Sequence, residues 1–246
     1  MRNLFSKVIL GVIALGTSTV AFAQDAAAAG AVEGGLHHEL KRLFIEGSAT
    51  FNSLISIPFI IGLAICLERV IYLNLAEVNT NKLFKSIEEA LDKGDVEGAK
   101  AVARDTKGPI ASIVYQGLMR IDQSVDTVER SITSYGAVQS GLLEKNLSWI
   151  TLFISILPSI GFIGTVVGMI MAFDKIQIVG DISPTVVAGG MKVALITTIA
   201  GLITAIILQL FYNYLLSKLE AIVNKMEDST ITFMDLVVKY NLKYKK

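Results

Sequence analysis

Uncharged apolar runs alternate with charged segments along the chain and set its organisation. Four runs lack Asp, Glu, Lys and Arg, at residues 8–24, 47–67, 146–173 and 193–217. A helix of about 20 apolar residues crosses the core of a bilayer, so each of the last three runs is long enough to span it once. The pattern predicts three transmembrane helices.

The first apolar run has the order of a secretory signal peptide. Arg2 and Lys7 precede it, and its apolar centre ends in Ala21-Phe22-Ala23, the small-x-small pattern of a cleavage site. We expect cleavage after Ala23; the alternative is an uncleaved, short first transmembrane helix. An exported leader places residues 24–46 on the periplasmic side of the inner membrane and residues 74–145 on its cytoplasmic side.

The distribution of Lys and Arg supports this orientation. Sixteen of these residues fall on the predicted inner side, and four (Lys41, Arg42, Lys175 and Lys192) fall on the outer side. An excess of positive charge in cytoplasmic segments is the usual arrangement of membrane proteins. We therefore expect a multi-pass protein of a bacterial inner membrane, with a periplasmic mature N-terminus and a cytoplasmic C-terminus.

The segments predicted in this way cover the whole chain. They are a signal peptide (1–23), a periplasmic segment (24–46), transmembrane helices at 47–73, 146–173 and 193–217, a cytoplasmic helical loop (74–145), a periplasmic loop (174–192) and a cytoplasmic tail (218–246). Leu36, Leu40, Leu43 and Phe44 recur at helical spacing in the periplasmic segment and predict a short amphipathic helix. The adjacent His37-His38 pair points in two directions on such a helix, which favours a solvated polar face over a metal site.

The polar segments also have helical patterns. Asn79 is a good cap for a helix that follows, Gly94-Asp95 interrupts that helix, and Gly108-Pro109 is the strongest break in the loop. Residues 122–147 contain no proline, so their helix can continue directly into the next span. No strand-like alternation occurs. The predicted fold is an all-α integral membrane protein whose three transmembrane helices extend into the cytoplasm as a helical bundle.

Composition agrees with the membrane class and excludes others. Hydrophobic residues make up 52% of the chain and charged residues 18%, with mean hydropathy +0.58. The net charge is zero, so no basic excess exists to bind nucleic acid. A single cysteine, Cys66, excludes a disulfide framework within the chain.

The last two spans are uncharged but rich in hydroxyl and small side chains. The two stripes comprise Thr151, Ser155, Ser159, Thr165, Gly161, Gly164, Gly168 and Ala172 in one span, and Gly190, Ala194, Thr197, Thr198, Gly201, Thr204 and Ala205 at the other. Such stripes serve close helix packing or line a shared cavity. A Thr hydroxyl does not titrate at physiological pH, so a proton channel built from this chain needs a carboxylate from a partner.

Enzyme signatures are absent from the sequence. It contains no GxSxG, P-loop or GxGxxG motif, and His38-Glu39 lacks the second His of a zinc-protease helix. We therefore expect neither an enzyme nor a protein that binds a cofactor or metal.

Several segments resemble the MotA/TolQ/ExbB proton-channel family, and ExbB and TolQ most. The main motif runs Leu-Pro-Ser-Ile-Gly-Phe-Ile-Gly-Thr-Val-Val-Gly-Met at residues 157–169. Leu67-Glu68-Arg69 closes the first span, residues 143–149 lead into the second, and Ala-Leu-Ile-Thr-Thr-Ile-Ala-Gly-Leu occupies residues 194–202. The resemblance covers roughly residues 51–226.

The resemblance implies a homo-oligomeric ring, expected to be a pentamer, around an ExbD/TolR-like single-span partner. That partner supplies a membrane aspartate, and proton flow past it drives a TonB-like protein. The pore-lining threonines of the family fall on Thr165 and Thr198, with Thr197 beside them. The sequence differs from the family at Val193, where a Glu is usual. Next to it, Lys192 is expected at the outer interface; the alternative is that it tunes cation entry.

The resemblance also implies roles for the remaining candidate residues. Helix packing is expected at Pro158, Gly161, Gly164, Gly168 and Gly201, and interface charges at Glu68, Arg69 and Lys192. The function implied is a proton-conducting subunit that drives outer-membrane transport. The alternatives are a TolQ-like subunit, a stator of a gliding motor, and a non-conducting membrane scaffold whose stripes serve packing only.

Overall fold

A computed structural model describes residue 42 and residues 44–180 and 184–244 of the chain. The predicted leader and most of the predicted amphipathic helix lie outside these residues. The chain divides into two compact units, residues 1–46 and 47–246. Of the first unit, the described residues are helical, and Arg42 Nε lies 3.5 Å from Glu46 Oε1.

The described part of the second unit is helical throughout and contains no strand. The helices are α1 (Ala49–Ala76), α2 (Thr80–Asp92), α3 (Val96–Asp105), α4 (Pro109–Leu118), α5 (Val125–Glu144), α6 (Leu147–Val179) and α7 (Pro184–Tyr244). Three helical stretches, containing α1, α6 and α7, are long and apolar enough to cross a membrane. The prediction of an all-α fold with three membrane-length helices is confirmed.

Polar side chains cap the N-termini of the short helices at the positions where the sequence predicts a helix to begin. Asn79 Oδ1 accepts a hydrogen bond from the Lys82 N–H (3.2 Å) at the start of α2. Asp95 Oδ1 does the same for the Gly98 N–H (2.8 Å) at the start of α3. These caps satisfy backbone donors that have no partner inside the helix. Gly108 turns the chain with φ 126°, a conformation that glycine adopts without strain, and α4 begins at the next residue.

The helix before the second span does not continue into it. α5 ends at Glu144, and α6 begins at Leu147 after Asn146 adopts the left-handed conformation (φ 68°). The expectation of one helix through residues 122–147 and onward is therefore wrong. Asparagine tolerates left-handed backbone better than most residues, so the chain changes direction without a glycine or proline.

The helix that does run unbroken from membrane to stalk is α7. Its 61 residues give a length of about 90 Å. Its C-terminal half packs on α2, α4 and α5 to form what we call the stalk. The stalk core is made of buried aliphatic and aromatic side chains, among them Ile87, Val114, Ile132, Phe233 and Val237.

In the spans, α6 and α7 form an antiparallel hairpin and α1 packs along one side of it. A methyl group at Gly62 of α1 would lie 2.8 Å from Leu208 Cδ1 and 3.2 Å from Phe153 Cδ2. Gly62 therefore brings α1 into close contact with both helices of the hairpin. The opposite side of the hairpin is not covered by α1.

Candidate functional site

Glycines bring the backbones of α6 and α7 together along the contact between the two helices. A methyl group at Gly201 would lie 2.6 Å from the Leu157 carbonyl oxygen, and one at Gly161 would lie 3.0 Å from the Thr197 carbonyl oxygen. The same construction at Gly168 reaches the Gly190 carbonyl oxygen at 3.0 Å. These glycines, predicted to serve helix packing, lie where no side chain fits without moving backbone.

This close approach places Thr165 of α6 against Thr198 of α7. Their two hydroxyl oxygens are hydrogen-bonded to each other. Thr165 Oγ1 also lies 3.3 Å from the Gly161 and Ala194 carbonyl oxygens. Thr198 Oγ1 lies 3.3 Å and 3.1 Å from the same two carbonyls. Each hydroxyl thus reaches one acceptor on its own helix, one on the other helix, and the other hydroxyl.

The hydrogen-bonding capacity of this cluster exceeds its supply of protons. Two hydroxyl groups carry two protons, whereas the two carbonyls and the two hydroxyl oxygens provide more acceptor positions. Either threonine can donate to the other while the second donates to a carbonyl. The cluster therefore has alternative hydrogen-bond patterns within one arrangement of heavy atoms, and both threonines are partly exposed.

Thr197 lies in a different environment from its two neighbours. It is fully buried, and its hydroxyl donates to the Val193 (3.1 Å) or Ala194 (3.0 Å) carbonyl of its own helix. A methyl group at Gly164 would lie 2.6 Å from Thr197 Oγ1. The structure therefore brings Thr165 and Thr198 together at the partly exposed edge and places Thr197 inside the helix contact.

Pro158 is half-buried about two helical turns before Thr165 on α6. It lies inside α6, where it lacks the N–H that would bond to the carbonyl of residue 154. A free carbonyl in a membrane helix needs another partner or water. Together with Gly161, Pro158 makes this part of α6 less regular than an ordinary span.

The charges predicted at the membrane interface differ in burial. Arg69 is 5% exposed, and its Nε and Nη2 each donate to a Glu68 carboxylate oxygen at 2.6 Å. Its guanidinium carbon lies 4.5 Å from the centre of the Tyr72 ring. This pairing allows a buried cation next to the membrane. Lys192 is exposed near the start of α7, at the other end of the span.

A charged contact that the sequence pattern did not reveal joins α1 to α7 just outside the membrane. Glu77 pairs with Lys218 and also with Lys225, whose Nζ lies 2.5 Å from Glu77 Oε1. These two hydrogen bonds, from Lys218 first, lower the pKa of Glu77 from its usual 4.5 to about 2. The two lysines are seven residues apart on α7, which was the available signal that both face one partner.

A second polar feature that the sequence analysis left unassigned follows the threonine pair towards the stalk. Gln209 Nε2 donates to Asn213 Oδ1 (3.2 Å) on the exposed face of α7. The spacing of four residues was visible in the sequence. Among the described residues no three His, Cys, Asp or Glu side chains lie together in a way that would hold a metal ion.

Three membrane-length helices and an uncharged hydroxyl cluster between two of them define the class: a multi-span helical membrane protein with a polar site inside its spans. A family model described as the MotA/TolQ/ExbB proton channel family matches residues 105–228, half of the chain. The chain belongs to this family.

Individual relatives agree with this placement. The chain is 29% identical over 169 residues to a putative biopolymer transport protein ExbB homolog of Methanothermobacter thermautotrophicus, covering 68% of this chain and 60% of that protein. It is 37% identical over 88 residues to biopolymer transport protein exbB1 of Vibrio cholerae, covering 32% and 39%. The chain thus spans less than two thirds of the length of either protein, and both relatives carry the ExbB name.

Proposed function

We propose that the chain is the proton-conducting subunit of an inner-membrane complex that uses the proton gradient to drive transport across the outer membrane. The observation that carries this proposal is the Thr165–Thr198 pair, a neutral hydrogen-bonded site shared by two uncharged spans. Family membership supports proton conduction as the activity. The names of the relatives support biopolymer transport as its use.

The chemistry of the pair suits relay of a proton and not its storage. A hydroxyl accepts and donates at the same oxygen, so a proton delivered to one side of the pair can leave from the other after the hydrogen bonds reverse. Neither threonine titrates near neutral pH. A conducting site therefore needs a carboxylate that gains and loses the proton, and we assign it to an ExbD/TolR-like single-span partner.

The proposed assembly brings the hydroxyl groups of this chain next to the carboxylate of the partner. Several copies of the chain, five by the family resemblance, surround the partner and direct the threonine-bearing sides of their hairpins towards it. One proton moving down a potential of 100 mV releases about 2.3 kcal/mol. Several protons supply enough free energy to move the partner and, through it, a TonB-like protein. The chain itself performs no enzymatic step.

Two alternatives have different consequences. A gliding-motor stator or a TolQ-like subunit shares the proton path and differs in the partner that it drives. A non-conducting scaffold uses the same glycines and threonines for packing only. The second alternative predicts that loss of one hydroxyl changes nothing except stability.

Replacement of Thr198 by valine tests the proposal, because valine keeps the shape and removes the hydroxyl. We expect Thr198→Val to lower proton flux through the purified complex in liposomes by about 100-fold or more, the lower end of the range for removal of a group that handles the proton. Thr204→Val is the matched control, since the Thr204 hydroxyl donates only to its own helix, to the carbonyls of Ala200 (2.8 Å) and Gly201 (3.0 Å). Equal flux through both variants, with equal assembly, would contradict the proposal.

A further inference from the structure

Three threonine hydroxyls share one acceptor, the carbonyl oxygen of Ala194 on α7. It lies 3.3 Å from Thr165 Oγ1, 3.0 Å from Thr197 Oγ1 and 3.1 Å from Thr198 Oγ1. A carbonyl oxygen has two lone pairs, and in an α-helix the N–H four residues further on takes one of them. One acceptor position therefore remains for three hydroxyl groups, which compete for it.

The three distances are similar, so the competition depends on the other acceptors within reach of each hydroxyl. Thr165 and Thr198 are hydrogen-bonded to each other, and both also reach the Gly161 carbonyl oxygen at 3.3 Å. Thr197 reaches one other acceptor among the described residues, the Val193 carbonyl oxygen at 3.1 Å. The hydroxyl of Thr197 therefore chooses between two carbonyls of its own helix.

Burial keeps the Thr197 hydroxyl on these two acceptors. The residue is 0% exposed, whereas Thr165 and Thr198 are partly exposed. A buried hydroxyl without a hydrogen bond has lost its water and gained no partner, which costs free energy. Thr197 therefore donates at all times either to the Ala194 carbonyl or to the Val193 carbonyl.

The backbone of α6 holds the Thr197 side chain in place. A methyl group at Gly164 would lie 2.6 Å from Thr197 Oγ1 and 2.8 Å from Thr197 Cβ, so the space beside this side chain is no larger than a glycine leaves. Side chains in such close contact stay in one rotamer. The remaining freedom of the hydroxyl is rotation of its O–H bond from one carbonyl to the other.

This rotation changes the acceptors that are open to the threonine pair. When Thr197 donates to Ala194, Thr198 has no free carbonyl on its own helix and donates to Thr165 or to Gly161. When Thr197 donates to Val193 instead, the Ala194 carbonyl is open to Thr198. The Thr165 hydroxyl then donates to Thr198, and the hydrogen bond of the pair has the opposite direction.

We propose that Thr197 is a positioning residue of the proton relay: by taking or releasing the Ala194 carbonyl, its buried hydroxyl sets which threonine of the pair donates to the other. Thr197 does not itself carry the transferred proton. The inference rests on the proposed function, because the relay is the Thr165–Thr198 pair. Without the Thr197 hydroxyl, the Ala194 carbonyl stays with Thr198, and the hydrogen bond of the pair reverses less readily.

Proton flux through liposomes that contain the whole complex tests this role. We expect Thr197→Val to lower flux by about two- to tenfold, the factor that corresponds to one ordinary hydrogen bond, and Thr197→Ser, which keeps the hydroxyl, to restore it. Thr204→Val is the matched control, because the Thr204 hydroxyl donates to the Ala200 and Gly201 carbonyls, which no other hydroxyl in the described residues reaches. Wild-type flux in Thr197→Val would overturn the proposal.

The ratio of flux in H2O to flux in D2O separates positioning from a merely structural effect. Slower reversal of O–H bonds raises this ratio, whereas a loss of correctly assembled channels lowers flux in both solvents by the same factor. We expect a higher ratio in Thr197→Val than in wild type and Thr204→Val. Lower flux with an unchanged ratio would overturn the proposal. Thr197→Ala, which places no group at the hydroxyl position, serves if the valine variant does not assemble.

A double variant tests whether Thr197 acts through Thr198. Thr197→Val added to Thr198→Val is expected to cause no further loss of flux, because the hydroxyl that Thr197 directs is already absent. A further loss by the same factor as in the single variant would mean an independent effect and would overturn the positioning role.

The single variants also distinguish this inference from the proposed function. Reduced flux in Thr198→Val with wild-type flux in Thr197→Val would keep the relay and overturn the positioning role. Unchanged flux in Thr198→Val would contradict the relay itself.

Discussion

At the scale of single residues, Thr165 and Thr198 differ from neighbouring hydroxyl groups in reaching across to another helix. Ser155, Ser159 and Thr204 donate to carbonyls of their own helix, at 2.8 to 3.2 Å, as hydroxyls in membrane helices commonly do. Thr165 and Thr198 have interhelical acceptors in addition. The same residue type thus serves two purposes, and the distance between the helix backbones decides which.

The distance between the α6 and α7 backbones depends on Gly201. A single methyl group added at this position should therefore be costly. We expect Gly201→Ala to destabilise the protein by about 1–3 kcal/mol, because the new methyl meets the Leu157 carbonyl, and backbone cannot yield as a side chain does. Gly189→Ala, on the same helix with open space around it, is the control. Thermal unfolding in detergent measures both, and equal midpoints for the two variants would contradict this account of the helix contact.

Part of this arrangement of glycines and threonines could be predicted from the sequence. The glycine and threonine stripes were visible, and the family resemblance singled out Thr165 and Thr198. Spacing alone could not separate Thr198 from Thr197, because adjacent residues differ by only about 100° around the helix and the exact direction of the contact face is set by packing. The structure makes this distinction: Thr197 is buried against Gly164, and Thr198 meets Thr165.

At the scale of elements, α7 and the α5–α6 connection differ although their sequences have similar patterns. Both carry helical apolar periodicity across a membrane boundary without proline. α7 continues through it, whereas the other chain segment turns at Asn146. No local signal stronger than one asparagine marks the turn, and α5 packs on α4 and α7, a contact that the local sequence does not show. The short helices α2 and α3 were predictable since their caps are local.

The contact of Glu77 with Lys218 and Lys225 connects α1 to α7 and gives stability a pH dependence. The pKa of Glu77 is lowered to about 2 from 4.5, so its charged form contributes fully above about pH 4.5 and is lost as the pH falls towards 2. We expect Glu77→Gln to cost about 1 kcal/mol at pH 7, a modest value because the Glu77 side chain is 38% exposed.

The thermal midpoints of wild type and Glu77→Gln, compared from pH 7 to pH 3, check this prediction. The difference between them should shrink over the acidic part of that range. Glu97→Gln serves as control, because Glu97 is 84% exposed and its ion-pair partner among the described residues is Lys100, within α3. An equal effect of both substitutions at pH 7 would mean that the α1–α7 contact contributes nothing beyond an ordinary surface pair.

At the scale of the whole molecule, the absence of ionisable groups from the inner parts of two spans is the central feature. Residues 147–173 and 193–217 contain no Asp, Glu, His, Lys or Arg. Ionisable residues in membrane helices usually mark proton relays, so we propose that this member of a proton-channel family uses a carboxylate from another chain. The fold and family could be predicted from the sequence, whereas the proposed arrangement of copies around a partner would depend on surfaces of more than one chain.

Proton flux through liposomes of defined composition tests this division of roles most directly. One preparation contains this chain alone, a second adds its acidic single-span partner, and a third adds the partner with its membrane carboxylate replaced by the amide. We predict rapid flux only in the second preparation, because the chain supplies hydroxyls and the partner the group that titrates. Equal flux with this chain alone would contradict the account.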